Sequence, residues 1–330
     1  MRVIGLEEHF VTEAILVGAE EPPLPQASHG KGIPMTSTGT LGTHTVARVG
    51  FGAMQLERLH DDPAVAHALL RRAVELGVNH IDTAQFYGNG LVNGFLRDTL
   101  VADDSVVVVS KVGAEANPES PVPPRLAQRP EQLRASVEAN LLGLGLDRIP
   151  VVNLRRGDTG PGLRAEGDQV VDLDDQLAVM TALRDEGKIG AIGLSSVSIH
   201  SLRRALPAGI VCVQNSYSLV SRDDEELLDL CVSEGIAWVP FFPLGSAFPG
   251  FPKVTDEPAV RTVATALGAT PSQVGLAWLL HHAPNVLLIP GTSNVSHLEA
   301  NVAAGSLTLD ATTLKTLDAV PTRPADRPHG

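Results

Sequence analysis

The feature that most limits what this chain can fold into is an alternation. Eight short apolar runs are each followed by an amphipathic one: Val49–Met54, Asn79–Thr83, Ser105–Val112, Ile149–Leu154, Ala191–Ser195, Ile210–Gln214, Ile236–Phe241 and Val286–Ile289. Several are unbroken Val/Ile/Leu stretches, as strands buried on both faces must be. The segments between them carry helix signals. Asp62-Pro63 sets a capping acid before a proline at the first helical position. Pro130 opens a stretch that puts Leu133, Val137 and Leu141 on one face. Thr270–Gln273 and Ser296–Glu299 both fit the capping-box pattern. Strands and helices in strict alternation predict a closed parallel (β/α)8 TIM barrel. An open doubly wound sheet is the rival, but its usual G-x-G-x-x-G after the first strand is incomplete at Gly50-Phe51-Gly52-Ala53-Met54-Gln55.

Residues 20–40 are rich in Pro, Gly, Ser and Thr, a linker composition. The division expected is therefore an N-terminal extension over 1–37 and a barrel over 38–330, with a short hairpin near 41–48 ahead of the first strand. The formal net charge is −13 and no dense basic run interrupts it, which argues against nucleic acid or an anionic membrane as partner. The two cysteines, Cys212 and Cys231, form no C-x-x-C pair, so neither a disulfide framework nor a thiolate zinc site is expected. No apolar run reaches the roughly 18 residues of a membrane span. The first nine residues carry charge where a signal peptide needs its apolar stretch. The expected location is the cytoplasm, and the expected partner is a small molecule.

Barrel enzymes do their chemistry at the C-terminal ends of the strands. There the chain places Asp82 and Tyr87 after the second strand, Lys111 at the end of the third, and Asn153, Arg155 and Arg156 after the fourth. Ser195 and Ser196 end the fifth, Gln214 the sixth and Phe241 the seventh, while the eighth runs into Gly291-Thr292-Ser293-Asn294. Tyrosine, with a pKa near ~10, is a poor proton donor at neutral pH, and an ammonium beside it lowers that value. A carboxylate would hold the ammonium, so Asp82, Tyr87 and Lys111 form a set able to protonate a carbonyl oxygen. Each residue alone has a plainer account: a turn cap, a buried aromatic, a lysine reaching solvent. The three together are harder to dismiss in a chain with two tyrosines. Ser195, Ser196 and Gln214 carry groups suited to a carboxamide, and Phe241 a flat face for a planar ring. All four also suit the simpler task of filling the barrel mouth. The 291–294 turn before a helix offers backbone N–H groups to a phosphate.

The segment D-T-A-Q-F-Y-G (82–88) resembles the motif around the catalytic Asp and Tyr of aldo-keto reductases. GFGAMQL (50–56), VVVVSKVG (106–113), GKIGAIGLSS (187–196), VQNSYSLVSR (213–222), PFFPLGS (240–246), QVGLAWLL (273–280) and IPGTSNVSHLEANVAA (289–304) follow in family order, so the resemblance spans about 38–320. It implies reduction of an aldehyde or ketone by NADPH, with NADH as a second cofactor, on small aldehydes that include pyridoxal-like ones. It implies catalytic positions at Asp82, Tyr87 and Lys111. It implies cofactor contacts from Gly52, Ala53 and Met54, from Ser195, Ser196 and Gln214, and from Phe241. Further contacts fall at Leu244, Gly245 and Ser246, and at Gly291, Thr292, Ser293, Asn294, His297 and Asn301.

Two positions depart from the family. Arg155 stands where a histidine usually ends the fourth strand; a guanidinium cannot act as an acid but can donate to an oxyanion. The adenosine-phosphate region lacks the usual lysine or arginine, which narrows the expected preference for NADPH. Some members of the family serve as cofactor-binding regulatory or sensor proteins with little turnover, and this is the alternative function. Residues 1–20 resemble the start of an amidohydrolase-type decarboxylase, with Glu7 and His9 at a metal-binding spacing. No matching His/Asp set follows, so no metal site is expected.

Overall fold

The computed structural model describes residues 37–323, apart from 101–104, 118–123, 160–163 and 246–251. The readings made on residues 1–36 and on Ser246 lie outside the described residues. The chain opens with a hairpin, β1 (Thr38–Leu41) against β2 (His44–Ala47). The barrel strands are β3 (Phe51–Gly52), β4 (His80–Asp82), β5 (Val107–Val112), β8 (Ile149–Arg155), β9 (Ile189–Ser195), β10 (Ile210–Gln214) and β11 (Ala237–Trp238). A second small hairpin, β6 (Ala114–Glu115) with β7 (Arg125–Leu126), follows β5. The seven barrel strands form one parallel sheet in the order β11-β10-β9-β8-β5-β4-β3.

The sheet closes through residues 286–288. The Gly50 amide donates to the Leu288 carbonyl at 2.7 Å, and the Leu287 amide to the Trp238 carbonyl at 2.8 Å. Bridges pair Val49 with Leu288 and Trp238 with Val286. The expected eighth strand is thus a sequence of bridges rather than a ladder. The expected first strand is also shorter than read: after Gly52 the chain turns at once into a 3-10 helix, Ala53–Leu59.

The helices are α1 (Pro63–Glu75), α2 (Leu91–Leu100), α3 (Pro130–Leu144), α4 (Leu173–Asp185), α5 (Ile199–Ala205), α6 (Glu225–Ser233), α7 (Pro258–Leu267), α8 (Pro271–His282), α9 (Val295–Ala303) and α10 (Ala311–Asp318). Asp62 caps α1 and Thr270 caps α8 through a full capping box. The box read at Ser296–Glu299 is not used. Asn294 is extended and takes the cap of α9 by accepting from the His297 amide at 3.2 Å, which places Ser296 inside the first turn. Among the described residues no single helix is long and apolar enough to cross a membrane.

Period-two alternation sorts the strand residues into two cores. Side chains such as Ile81, Val108, Val152, Ile192 and Val213 point outward to the helices. Val107, Val109, Val151, Cys212, Ala237, Val239 and Leu287 point inward and fill the barrel, joined by Leu41 and Val46 of the hairpin. The hairpin therefore plugs the floor. It is pinned by Asn79, whose Oδ1 accepts from the Ala47 amide at 2.7 Å and whose Nδ2 donates to the Thr45 carbonyl at 3.2 Å. With the floor sealed by apolar groups, the polar inward positions gather at the other end.

Candidate active site

The register lines up the inward polar residues. Asp82 pairs with Val109 across β4 and β5, Lys111 with Asn153 across β5 and β8, Arg155 with Ser195 across β8 and β9, and Gln214 with Ser195 across β10 and β9. Because all of these face inward, their side chains converge at the barrel mouth. Lys111 and Asp82 form a buried ion pair, with side chains 7% and 5% exposed. Lys111 Nζ also donates to the Thr83 carbonyl at 3.1 Å and to Tyr87 Oη at 3.0 Å. Asp82 Oδ2 accepts from Gln214 Nε2 at 2.9 Å. Both carboxylate oxygens are thus held, and the ammonium is aimed at the phenol.

Burial and charge compete at this trio. Burial of the Tyr87 hydroxyl raises its pKa; the Lys111 ammonium pulls it down, and burial wins. The expectation that lysine alone would bring the phenol below its ordinary value is therefore corrected, since desolvation opposes the phenolate. Burial would lower the Lys111 pKa, but Asp82 and Tyr87 together outweigh it and raise the value. The result is a protonated phenol hydrogen-bonded to a charged amine.

Tyr87 reaches this place because the chain after it turns tightly. Gly88, Asn89 and Gly90 all have positive φ (55°, 51° and 91°), a run that Gly and Asn tolerate. At Gly90 a Cβ would also lie 2.7 Å from Gln85 Nε2. Behind the turn a buried amide network fixes its base. Thr83 Oγ1 donates to Asn93 Oδ1 at 2.8 Å, and Asn93 Nδ2 donates to Gln85 Oε1 at 2.7 Å and Asn140 Oδ1 at 3.1 Å. Ser110 Oγ completes the network by donating to Asn140 Oδ1 at 2.5 Å. Sequence reasoning missed this network; two asparagines on the inner faces of α2 and α3 were its only signal.

Arg155 ends β8. Its carbonyl is clamped by Gln128 Nε2 at 2.7 Å, and Gly113, with φ 96°, passes so close that a Cβ there would lie 2.2 Å from that oxygen. The side chain then points into the mouth. It does not pair with Asp158, the acid three positions on: Arg156 takes that acid, Nε to Oδ1 at 3.1 Å, and Ser201 Oγ donates to its other oxygen at 2.6 Å. Arg155 Nε is buried with no hydrogen-bond partner. Burial lowers the Arg155 pKa, opposed by Tyr87, which places the two side chains within electrostatic reach of each other. Asn153, one pleat below, is engaged lower in the barrel, its Oδ1 accepting from Cys212 Sγ at 3.1 Å.

The residues read as cofactor contacts surround this centre. Ser195 and Ser196 are buried at the end of β9, and Ser196 has φ 54°. Gln214 is buried and gives one amide hydrogen to Asp82, leaving Oε1 and the second amide hydrogen for a ligand. Phe241 and Leu244 are partly exposed at the mouth, as is Gly245, which turns with φ 89°. Gly52 and Gly291 touch backbone to backbone: a Cβ on Gly291 would lie 2.6 Å from the Gly52 carbonyl oxygen. That contact brings the 291–294 loop against Gly52-Ala53-Met54. Thr292 is buried and Ser293 and Asn301 are half-buried, while Met54, Asn294 and His297 are exposed. The donor set suits a nicotinamide dinucleotide: hydroxyls and an amide for the carboxamide, an aromatic face for the ring, a helix N-terminus for phosphate. Between Pro290 and Asn301 the ionisable side chains are His297 and Glu299, so a 2′-phosphate would meet no permanent positive charge there.

The model of the aldo/keto reductase family matches residues 48–321. The pyridoxine 4-dehydrogenase of Escherichia coli K12 is 43% identical over 295 residues, covering 86% of this chain and 98% of the relative. An uncharacterized oxidoreductase of Schizosaccharomyces pombe is 33% identical, covering 85% and 89%. Among solved structures, an aldo-keto reductase of Klebsiella pneumoniae in complex with NADPH superposes with a TM-score of 0.73 at 25% identity, covering 88% of this chain and 97% of that one.

Proposed function

We propose that this chain, which belongs to the aldo/keto reductase family, reduces the carbonyl of a small aldehyde with NADPH and oxidises the corresponding alcohol in reverse, with Tyr87 as the proton donor. The observation that carries the reading is the chain of contacts Asp82–Lys111–Tyr87, in which Lys111 Nζ stands 3.0 Å from Tyr87 Oη inside a buried ion pair. NADPH supplies the hydride when bound; Ser195, Ser196, Gln214 and Phe241 would hold its nicotinamide, and the 291–294 loop and the start of α9 its phosphates. Tyr87 gives its proton to the carbonyl oxygen as negative charge develops there. Lys111 stabilises the phenolate left behind, and Asp82, fixed by Gln214, keeps the ammonium charged and in line. Arg155 donates to the same oxygen or to a neighbouring one. The name of the Escherichia coli relative makes pyridoxal and pyridoxine the first substrate pair to try. The alternative of a sensor with little turnover has less behind it, since the proton-transfer trio is complete.

The test is Tyr87→Phe, assayed by loss of NADPH absorbance with pyridoxal and by NADPH fluorescence for binding. Turnover should fall about a hundred- to ten-thousandfold, the scale of removing a general acid, with cofactor affinity nearly unchanged. Near-normal turnover in the variant would remove Tyr87 from the mechanism.

A further inference from the structure

The geometry points to Arg155 as the residue that selects substrate. We propose that it reads an anionic oxygen beside the carbonyl, and that the site takes aromatic aldehydes whose ring bears an ionised hydroxyl ortho to the aldehyde. This rests on the reading of the site as a carbonyl-reducing centre.

Among the described residues, the acid three positions on in sequence and the acid at the β4 strand end are already committed. Asp158 is held by Arg156 and Ser201, and Asp82 by Lys111 and Gln214. Arg155 itself enters no ion pair among the described residues, and its Nε is buried without a partner. A guanidinium stays charged at neutral pH; Arg155 is half-buried with its Nε withdrawn from water, and such a charge without a counter-charge is unfavourable. The arrangement makes sense if the counter-charge arrives with the ligand.

The carbonyl oxygen alone does not call for that charge. It is already provided for by the Tyr87 hydroxyl, backed by Lys111. A second cation at the strand end, within electrostatic reach of Tyr87, is placed to meet a second substrate oxygen, such as one on the ring carbon adjacent to the carbon that bears the aldehyde. The guanidinium fork suits two such oxygens, since its donors lie in one plane. The shape of the mouth favours a flat ring as their carrier. Phe86 packs edge-on against Tyr87 at 5.1 Å, and Phe242 against Phe241 at 5.1 Å, so two loops of the mouth present aromatic pairs.

The balance of the step is simple. With NADPH bound, its hydride would add to the aldehyde carbon, leaving NADP+, while the C=O π pair takes the proton from Tyr87 Oη and Tyr87 recovers a proton from solvent. Arg155 neither gains nor loses a proton; it holds the phenolate so that the carbonyl lies against Tyr87.

The experiment compares kcat/KM for 2-hydroxybenzaldehyde and 4-hydroxybenzaldehyde, with NADPH, in wild type, Arg155→Lys and Arg155→Met. Taking the ortho/para ratio in each protein cancels the intrinsic reactivity of the two aldehydes. The ratio should fall about ten- to a hundredfold from wild type to Arg155→Met, the worth of one hydrogen bond to a charged group. Arg155→Lys should keep part of it. In wild type the ortho advantage should shrink as pH falls and the phenol is reprotonated. An equal ratio in wild type and Arg155→Met overturns the proposal. So does a gain that appears for phenylglyoxylate over acetophenone but not for the ortho-phenol, which would make Arg155 a carboxylate reader. Should Arg155→Met not fold, Arg155→Lys against wild type decides, and an equal ortho/para ratio in those two proteins overturns the idea. Failure of the underlying reading looks different: no NADPH would be consumed with any of the four carbonyls, and the proposal would fall with it.

Discussion

His80 sits two residues below Asp82 on β4, facing inward, and its ring packs flat beneath Gly50, where a Cβ would lie 2.2 Å from Nε2. Neither ring nitrogen has a hydrogen-bond partner. Burial lowers its pKa from the ordinary 6.5 to about 4 and outweighs the Leu288 carbonyl, which lies near the ring without a well-formed hydrogen bond and favours the protonated form. The folded chain thus keeps this imidazole neutral down to about pH 4, while the unfolded chain protonates it near 6.5. Proton uptake by the unfolded chain draws the equilibrium toward unfolding throughout that window. Stability from this group is complete above about pH 6.5, declines as the pH falls toward 4 and changes no further below. Integrated from pH 7 to about pH 4.5, the loss is roughly 2.5 kcal/mol. The assay is urea unfolding at both pH values for wild type and His80→Leu. Leucine has a similar volume, and no hydrogen bond is broken by the change. Carboxylates contribute their own acid lability, but equally in both proteins, so the difference between the two declines isolates His80. The variant should lose about 2.5 kcal/mol less than wild type. Parallel declines would show that the imidazole finds a partner or water when protonated and would refute the reasoning.

Two further outcomes are expected. NADPH should be preferred over NADH by a small margin, and His297→Arg, which adds a charge without touching the Asn294 cap of α9, should widen the ratio of the two kcat/KM values about tenfold; a wild type that strongly favours NADH would refute the cofactor assignment. Asn294→Arg should widen it too, but at a loss of about 1 kcal/mol of helix stability with the cap removed. A chain beginning at Met35 should fold and keep its activity, because among the described residues every barrel strand and the floor hairpin begin after it; aggregation or inactivity of that protein, measured by gel filtration and the pyridoxal assay, would show that earlier residues are structural.

The barrel was legible because its strands are buried on both faces, and double burial writes itself as continuous Val/Ile runs such as Val106–Val109. The trio at Asp82, Tyr87 and Lys111 was legible because strand ends converge in this architecture. Less readable was everything decided by side-chain competition. Whether Arg155 or its neighbour Arg156 would take Asp158 depends on which of two consecutive residues faces inward, and a one-residue shift at a strand end reverses the answer. The cap of α9 was misread because Asn294 and Ser296 are both good caps and only the backbone decides between them. Gln214 was read as a ligand contact, and its bond to Asp82 crosses 132 positions of sequence. The closing strand shortened to bridges because its role is to join two sheet edges, a task that needs few ladder bonds.

The plugged floor has a practical side. Ser37 leaves the hairpin beside Arg48 and the C-terminal end of α8, at the end of the barrel remote from Tyr87 and Lys111. A short tether attached there would anchor the protein to a bead, an electrode or a fused cofactor-recycling enzyme with its mouth turned outward. The support would then lie at the end opposite the site, and immobilisation should leave the apparent KM close to its value in solution.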